Sequence, residues 1–213
     1  MVTVDSQRVQ SKWIYHIIKR LFDIIVSLTA LVILSPVFLL IALVIKCDDS
    51  KGSAFYSQIR IGKDDQKFKM YKFRSMVSDA DSRIDELLKY NEVDGAMFKM
   101  KEDPRITRVG KFLRRHSLDE LPQLVNVLKG DMSLVGPRPP LPREVEQYSP
   151  IDTQRLLVTP GCTGLWQVSG RNDVDFHTMV ELDLKYINKA NLWMDFTILI
   201  RTIEIIIKPN NAY

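Results

Sequence analysis

The stretch "IIVSLTALVILSPVFLLIALVI", Ile24 to Ile45, decides how the rest of the chain is to be read. It runs for 22 residues without a charge. That is long enough to cross a bilayer core of ~30 Å. It is too long for a signal-peptide core, and no small-residue cleavage site follows it. A buried core helix is the plainer alternative. Ser35-Pro36 falls near its middle. Proline removes a backbone donor and clashes with the preceding turn, so a helix must kink there. The two halves hold 12 and 10 residues, and at about 1.5 Å per residue each covers half a bilayer. Two structures remain open on physical grounds: a kinked span, or a helix-break-helix that reaches mid-membrane and returns. Ser35 is placed to satisfy a carbonyl that Pro36 frees. Asp23, just before the run, reads as a helix cap or a partner for Arg20. His16, Lys19 and Arg20 precede the run and Lys46 and Lys51 follow it. Positive charge on both flanks gives no clear inside and outside.

The chain has 213 residues, 46% of them hydrophobic and 26% charged, enough to bury a sizeable core. Its net charge of +4 suits an anionic partner such as a nucleotide or a lipid headgroup. Cys47 and Cys162 are the only cysteines, with no disulfide framework or metal-site spacing. A reducing, intracellular setting is the expectation. After Lys51 the composition turns polar, which places a boundary near residue 50: an N-terminal segment with the membrane anchor over 1–50, and a compact domain over 51–213.

That second part reads as α+β, mainly helical. "FYSQIRIG" and "KFKMYKFRSM" alternate as two strands, and "KDDQ" between them makes a hairpin. "SDADSRIDELLKY" has helical spacing with Ser78 as its cap. "RRHSLDELPQLVNVLKGD", residues 114–131, reads as a helix ended by Gly130. "VGPRPPLPREV" is a proline-rich loop, "PGCTGLWQVSGR" a glycine-punctuated loop or short strand, and "FHTMVELDLKYI" a helix. In "LWMDFTILIRTIEIIIKP" the charges of Asp195, Arg201 and Glu204 argue against a second span. Leu192, Phe196, Leu199, Ile203 and Ile206 fall on one face. That face belongs to a core helix or, as the anchor favours, to a helix lying in the membrane interface with Trp193 at headgroup level.

The adjacent carboxylates Asp119 and Glu120 pose the functional question. Ser117-Leu118-Asp119-Glu120 matches a capping box, and acids in a first turn complement the helix dipole. Pro122 fits that account poorly, because it falls where a backbone donor would be used. The surroundings are basic. Lys99, Lys101, Arg105, Arg108, Lys111, Arg114 and Arg115 precede the pair, Lys72 and Arg74 lie at the second strand, and Arg138 is held between two prolines. Most such cations are solvated surface charges, but a stiffly presented arginine suits phosphate. A carboxylate among cations is a nucleophile for phosphorus. Asp119 as nucleophile and Glu120 as a Mg²⁺ ligand is a coherent division of labour.

These motifs, together with "KFRSM", "RITRVGKFLRRHSLDELPQLVNVLKGDMSLVGPRP", "PGCTGLWQVSGR" and "LDLKYI", resemble the bacterial sugar transferases, the monotopic phosphoglycosyl transferases. The similarity runs from about Lys19 to Lys208. It implies transfer of a hexose-1-phosphate, galactose or glucose, from a UDP-sugar to undecaprenyl phosphate with release of UMP. Asp119 would carry the phosphosugar covalently and Glu120 would hold Mg²⁺. Arg138, Lys72 and Arg114 would bind substrate phosphate, and Asp183 would support the site. The resemblance further implies that Ser35 and Pro36 form a mid-membrane break, with the catalytic domain on the cytoplasmic side of the inner membrane. Such enzymes begin capsule, exopolysaccharide or O-antigen assembly. A homodimer is allowed and a nucleic-acid partner is not expected. Larger members carry further N-terminal helices and another domain, so the chain is a compact member or a fragment.

A rival reading is a membrane-attached protein that binds nucleic acid or anionic lipid through its basic stretch, with steep salt dependence. A P-loop hydrolase and a zinc hydrolase are both disfavoured, since neither GxxxxGK[ST] nor HExxH occurs.

Overall fold

A computed structural model describes residues 3–92, 100, 102–170 and 174–207. Lys99 and Lys101 of the basic stretch and Arg171 of the glycine-rich motif lie outside the described residues. The architecture is mainly helical, with two small two-stranded sheets.

After a short α1 (Ser6–Ser11), α2 (Trp13–Ile33) and α3 (Ser35–Asp48) meet at a 61° bend. The cause is local. Pro36 has no N–H to give the carbonyl of Val32, four residues back. The Ser35 hydroxyl donates to that same carbonyl at 2.8 Å. The break therefore falls at the Ser-Pro pair, and the freed acceptor is satisfied. Among the described residues no single helix is long and apolar enough to cross a membrane; the bent pair passes that test only together. Asp23 neither caps nor pairs with Arg20. The helix begins ten residues earlier, at Trp13, so Asp23 is interior and buried.

The hairpin is present. β1 (Phe55–Ile61) and β2 (Lys67–Phe73) pair antiparallel, with Tyr56 opposite Lys72 and Gln58 opposite Met70. Its turn sets Asp64 and Asp65 at positive φ, a conformation that short acidic side chains tolerate. Phe73 at its end is buried with Ile41, Ile45 and Leu113, so the hairpin also seats α3.

The segment from Ser78 to Tyr90 is not one capped helix. A 3₁₀ turn (Ala80–Arg83), a single turn α4 (Ile84–Leu87) and another 3₁₀ turn (Leu88–Tyr90) follow each other. Asp79 and Ser82 explain this: Ser82 donates back to the Asp79 carbonyl and Arg83 pairs with the Asp79 carboxylate, local bonds that compete with helix.

Next come α5 (Arg108–Arg115), capped by the Thr107 hydroxyl on the Gly110 N–H, and α6 (Gln123–Lys129). Gly130 closes α6 at φ 93°, where a side chain would be strained. β3 (Ser133–Val135) pairs parallel with β4 (Gly161–Thr163), and the glycine-rich motif thus resolves into a strand and a short helix, α8 (Leu165–Ser169). A Cβ on Gly161 would overlap the backbone of Gly136, so the two segments can approach only as glycines. Between them lies α7 (Pro142–Val145). α9 (Phe176–Lys189), capped by Asp175, and α10 (Leu192–Ile207) complete the fold. The main core gathers Val127, Met132, Val135, Met179, Leu184, Ile187 and Ile198.

The face expected on α10 divides. Leu199 packs against the core beside buried Ile198, whereas Leu192, Phe196 and Ile203 are exposed with Trp193 and Ile207. Asp195 is buried and fastens α10 to α2. It accepts from Tyr15 at 2.8 Å and Tyr186 at 2.6 Å, and pairs with Lys19 at 3.0 Å. Farther along α2, Arg20 donates to the carbonyls of Val127 and Leu128, and Asp23 accepts the Leu134 N–H at 3.1 Å.

Two buried polar side chains set the geometry around the carboxylate pair. Asn126 in α6 accepts the Tyr71 N–H at 2.9 Å and donates to the Lys69 carbonyl at 2.7 Å, so a side chain completes the hydrogen bonding of β2. Arg155, in the 3₁₀ turn Asp152–Leu157, donates to Asp183 of α9 at 2.8 Å, to the Tyr148 hydroxyl at 2.6 Å and to the carbonyl of Arg138 at 3.2 Å. α9 thereby braces the proline-rich loop through a buried guanidinium. Burial pushes the Asp183 carboxyl up to about 6, against the pull of Arg155.

Asn126→Leu orphans a buried donor and acceptor and should cost about 2–4 kcal/mol in urea unfolding. Asp183→Ala strands the Arg155 charge and should cost about 3–5 kcal/mol; Asp183→Asn, which still accepts from Arg155, should cost less. The native Asp183 binds its proton more tightly than the unfolded one. The proton-linked part of its contribution, separate from its pairing with Arg155, is therefore full below an ordinary aspartate pKa of ~3.9 and lost as pH rises through about 6. The stability of wild type relative to Asp183→Asn should accordingly grow as pH falls from neutral toward that lower value. An unchanged difference refutes the assignment.

Candidate active site

The carboxylate pair sits on an irregular turn, not in a first helical turn. α5 ends at Arg115, and Ser117 takes the left-handed conformation at φ 54°. Leu118–Glu120 form one 3₁₀ turn, and Pro122 directly precedes α6. The capping box is not made: Ser117 makes no capping hydrogen bond. A capping residue needs extended backbone, which Ser117 lacks. Pro122 has no N–H to continue the ladder, so the helix restarts after it. The Glu120 side chain instead meets Lys72 Nζ at 2.7 Å.

A cavity of ≈ 290 Å³ opens here, between β2, the Ser117–Gln123 turn, the Pro137–Pro139 segment and the β4–α8 junction. Asp119, Glu120, Lys72, Arg114 and Arg138 all line it, five positions brought together from separate parts of the chain. Lys72 is supplied by the hairpin that Asn126 secures. Arg114 comes from α5, its Nε held by the Ser75 hydroxyl at 3.1 Å. Arg138 comes from the loop braced by Arg155. Asp183 does not line the cavity; it lies behind Arg138 and acts through Arg155. Ser35 and Pro36 are at the helix bend, apart from this cavity.

Of the other basic residues, Arg108, Lys111 and Arg115 are the exposed surface charges expected, whereas Arg74 and Arg105 are buried in ion pairs. Arg105 pairs with buried Asp103 at 2.7 Å, Lys111 with Glu102 at 3.4 Å and Arg74 with Asp49 at 3.4 Å. The sequence reading passed over Arg60, Gln123, Cys162, Trp166 and Gln167, which also line the cavity. For Arg60 a signal existed: it follows Gln58 by two in a strand, and the register puts both on the face of Lys72.

The two acids are pushed in opposite directions. Burial raises the Asp119 carboxyl; Lys72 and Arg114 counter this without cancelling it, and the charge of Glu120 adds to it. Enclosure alone would raise Glu120 as well. There Lys72, by charge and hydrogen bond, with Arg138 and Arg60, prevails and holds the carboxyl below its usual range. Glu120 is thus held as the anion, and Asp119 is the more basic of the two. Burial keeps the Cys162 thiol protonated, which removes it as a nucleophile.

Mg²⁺ commonly binds one or two carboxylates and completes its shell with substrate phosphate and water. Glu120, with its side chain 40% exposed, suits that role. Among the described residues no group of three or more metal-ligating side chains gathers. Glu120 is the residue that would hold such a cation, with substrate phosphate supplying the remaining oxygens.

The family model described as Bacterial sugar transferase matches residues 14–209. The chain is 48% identical over 200 residues to an undecaprenyl-phosphate galactose phosphotransferase of Salmonella typhimurium, covering 92% of this chain and 42% of that protein. It is 46% identical over 202 residues to the galactosyl transferase CpsE of Streptococcus agalactiae, covering 94% and 44%. It is 43% identical over 199 residues to the exopolysaccharide production protein ExoY of Rhizobium meliloti, covering 92% and 88%. The chain thus spans less than half of the first two relatives and most of the third. With the family model covering nearly its whole length, the chain belongs to the bacterial sugar transferase family.

Proposed function

We propose that the protein transfers a hexose-1-phosphate from a UDP-sugar to undecaprenyl phosphate and releases UMP. The observation that carries this is Asp119, buried on a strained turn beside Glu120 and facing Lys72, Arg114 and Arg138 across one cavity. In the first step an Asp119 oxygen attacks the sugar-bearing phosphorus. The bond to the bridging oxygen breaks, its electron pair leaves with UMP, and a phosphosugar-aspartyl intermediate remains. In the second step the acceptor phosphate attacks the same phosphorus and Asp119 is regenerated. The cations lower the barrier to bringing one anion against another. Mg²⁺ held by Glu120 and the donor's diphosphate would supply further charge neutralisation. Galactose and glucose are the favoured sugars. Relatives named for galactose support the first, and one of Komagataeibacter xylinus named an undecaprenyl-phosphate glucose phosphotransferase, 38% identical, supports the second.

The acceptor lipid calls for a membrane setting, and the bent pair suits a re-entrant anchor in the inner membrane. Val32 and Ile33 at the bend and Leu39 and Leu40 beyond it are more than 60% exposed, an apolar surface that water does not tolerate well. The exposed face of α10, with Trp193 and Phe196, fits the interface beside it. Both flanks of the anchor would then face the cytoplasm, where nucleotide sugars are made.

Asp119→Asn should lower UMP release more than ~10³-fold while unfolding as wild type does. Intact-mass measurement should show a hexose-phosphate adduct on wild type incubated with donor alone and none on the variant; turnover by the amide excludes the covalent route. Cys47 is exposed at the end of α3, and the Cys162 thiol is held protonated and unreactive, so a membrane-impermeant thiol reagent reports Cys47. In inner-membrane vesicles of known orientation, wild-type Cys47 should react from the cytoplasmic side. Pro36→Ala restores the missing N–H and should move part of that labelling to the opposite side. Labelling of wild type from outside alone refutes the re-entrant anchor.

A further inference from the structure

A second cavity of ≈ 800 Å³ adjoins the first, and its size is within the ~300–1,000 Å³ usual for small-molecule sites. The two linings have four residues in common: Arg60, Lys72, Arg114 and Arg138. Every one is a cation. The boundary between the cavities is therefore a positively charged neck, with the nucleophile on one side and a roomier chamber on the other.

Arg60 is the unusual member of this set. It is 6% exposed. Its guanidinium donates to two neutral oxygens, the Pro139 carbonyl at 3.0 Å and Gln58 Oε1 at 2.8 Å, and its Nε has no partner. Among the described residues no carboxylate comes within ion-pair distance of it. Burial first, and then the like charge of Arg138, depress it to about 10, and Glu144 and Glu120 offset only part of this. A buried cation next to another cation, with no carboxylate in direct contact, is costly unless an anion joins them.

Beyond the neck the lining is mixed in charge: Arg105 is paired with Asp103, Arg74 with Asp49, and Arg143 stands among further carboxylates. Asp81 accepts from the Tyr56 hydroxyl at 3.1 Å, and Glu144 accepts the Leu141 N–H at 2.8 Å. These carboxylates suit a neutral base that offers N–H groups, and Tyr56 adds an aromatic surface. One ligand matches both halves: a diphosphate in the neck with a nucleoside beyond it.

We infer that the larger cavity receives the nucleoside of the donor and that Arg60 grips the donor's diphosphate in the neck, on the phosphate that departs as UMP. This rests on the transfer reaction proposed above and adds to it a location for the leaving group. When the bridging P–O bond breaks, the charge left on UMP develops beside a guanidinium already stripped of water.

The test uses the full chain with UMP, UDP and inorganic pyrophosphate as probes, followed by titration calorimetry. Arg60→Gln should weaken all three about 10–100-fold, as expected for loss of a charge-assisted hydrogen bond. Arg60→Lys should recover little, because it keeps the charge but loses the fork geometry. The KM for the UDP-sugar should rise by a similar factor and that for undecaprenyl phosphate should stay unchanged. Tyr56→Ala should weaken UMP and UDP but leave pyrophosphate alone. Arg60 also touches Pro139, so a bracing role must be separated: misplacing Arg138 would raise both KM values together, and that result overturns the assignment. Unchanged UMP affinity in Arg60→Gln, confirmed folded by thermal unfolding, overturns it too. Wild type that binds UMP through Arg60 yet releases none from any UDP-hexose would refute the transfer reaction and leave the nucleotide site standing.

Discussion

The 2.7 Å contact between Lys72 and Glu120 is the interaction on which the site depends. It joins the hairpin to the turn carrying the carboxylates, two parts of the chain nearly fifty residues apart. It also sets the two carboxylates apart. With Lys72 bonded to Glu120, that carboxylate stays charged at low cost, while burial raises the proton affinity of its neighbour Asp119. Two adjacent acids in identical surroundings would share their protons and neither role would be defined.

Each functional group reaches the site on a separately fixed support. Asn126 holds the strand bearing Lys72, Ser75 holds Arg114, and Asp183 with Arg155 holds the loop bearing Arg138. These fastenings are polar and buried, hence directional in a way apolar packing is not. The attack proposed for Asp119 requires such direction, since a small misplacement of reacting groups costs orders of magnitude in rate.

Much of this was legible in the residues. The Ser-Pro break follows from the chemistry of one missing N–H. The hairpin followed from alternation, and Pro122 already warned that the helix start at Ser117 would be irregular. The capping box misled because its pattern is local, whereas Glu120 is claimed by a lysine from a distant strand. Arg60 escaped notice for a related reason. Alternation in β1 places it on one face with Gln58, but that this face meets Lys72, with no carboxylate in contact with Arg60, is visible only in the folded register. Asp183 was expected to support the site, but its route through Arg155 to the carbonyl of Arg138 requires three distant segments to meet. The divided face of α10 shows the limit of periodicity: spacing groups apolar positions without saying which of them the core claims.

Lys19, Arg20 and Asp23 lie within a turn and a half of α2, and each grips a different element of the body: α10, the last turn of α6, and β3. A helix clamped on three sides cannot swivel or slide alone. If its apolar continuation is embedded in lipid, the catalytic turn stands at a fixed height above the bilayer, as on a rigid post and not on a tether. The protein would then ride the membrane surface as one solid piece, and the carrier lipid's phosphate would have to rise to meet it.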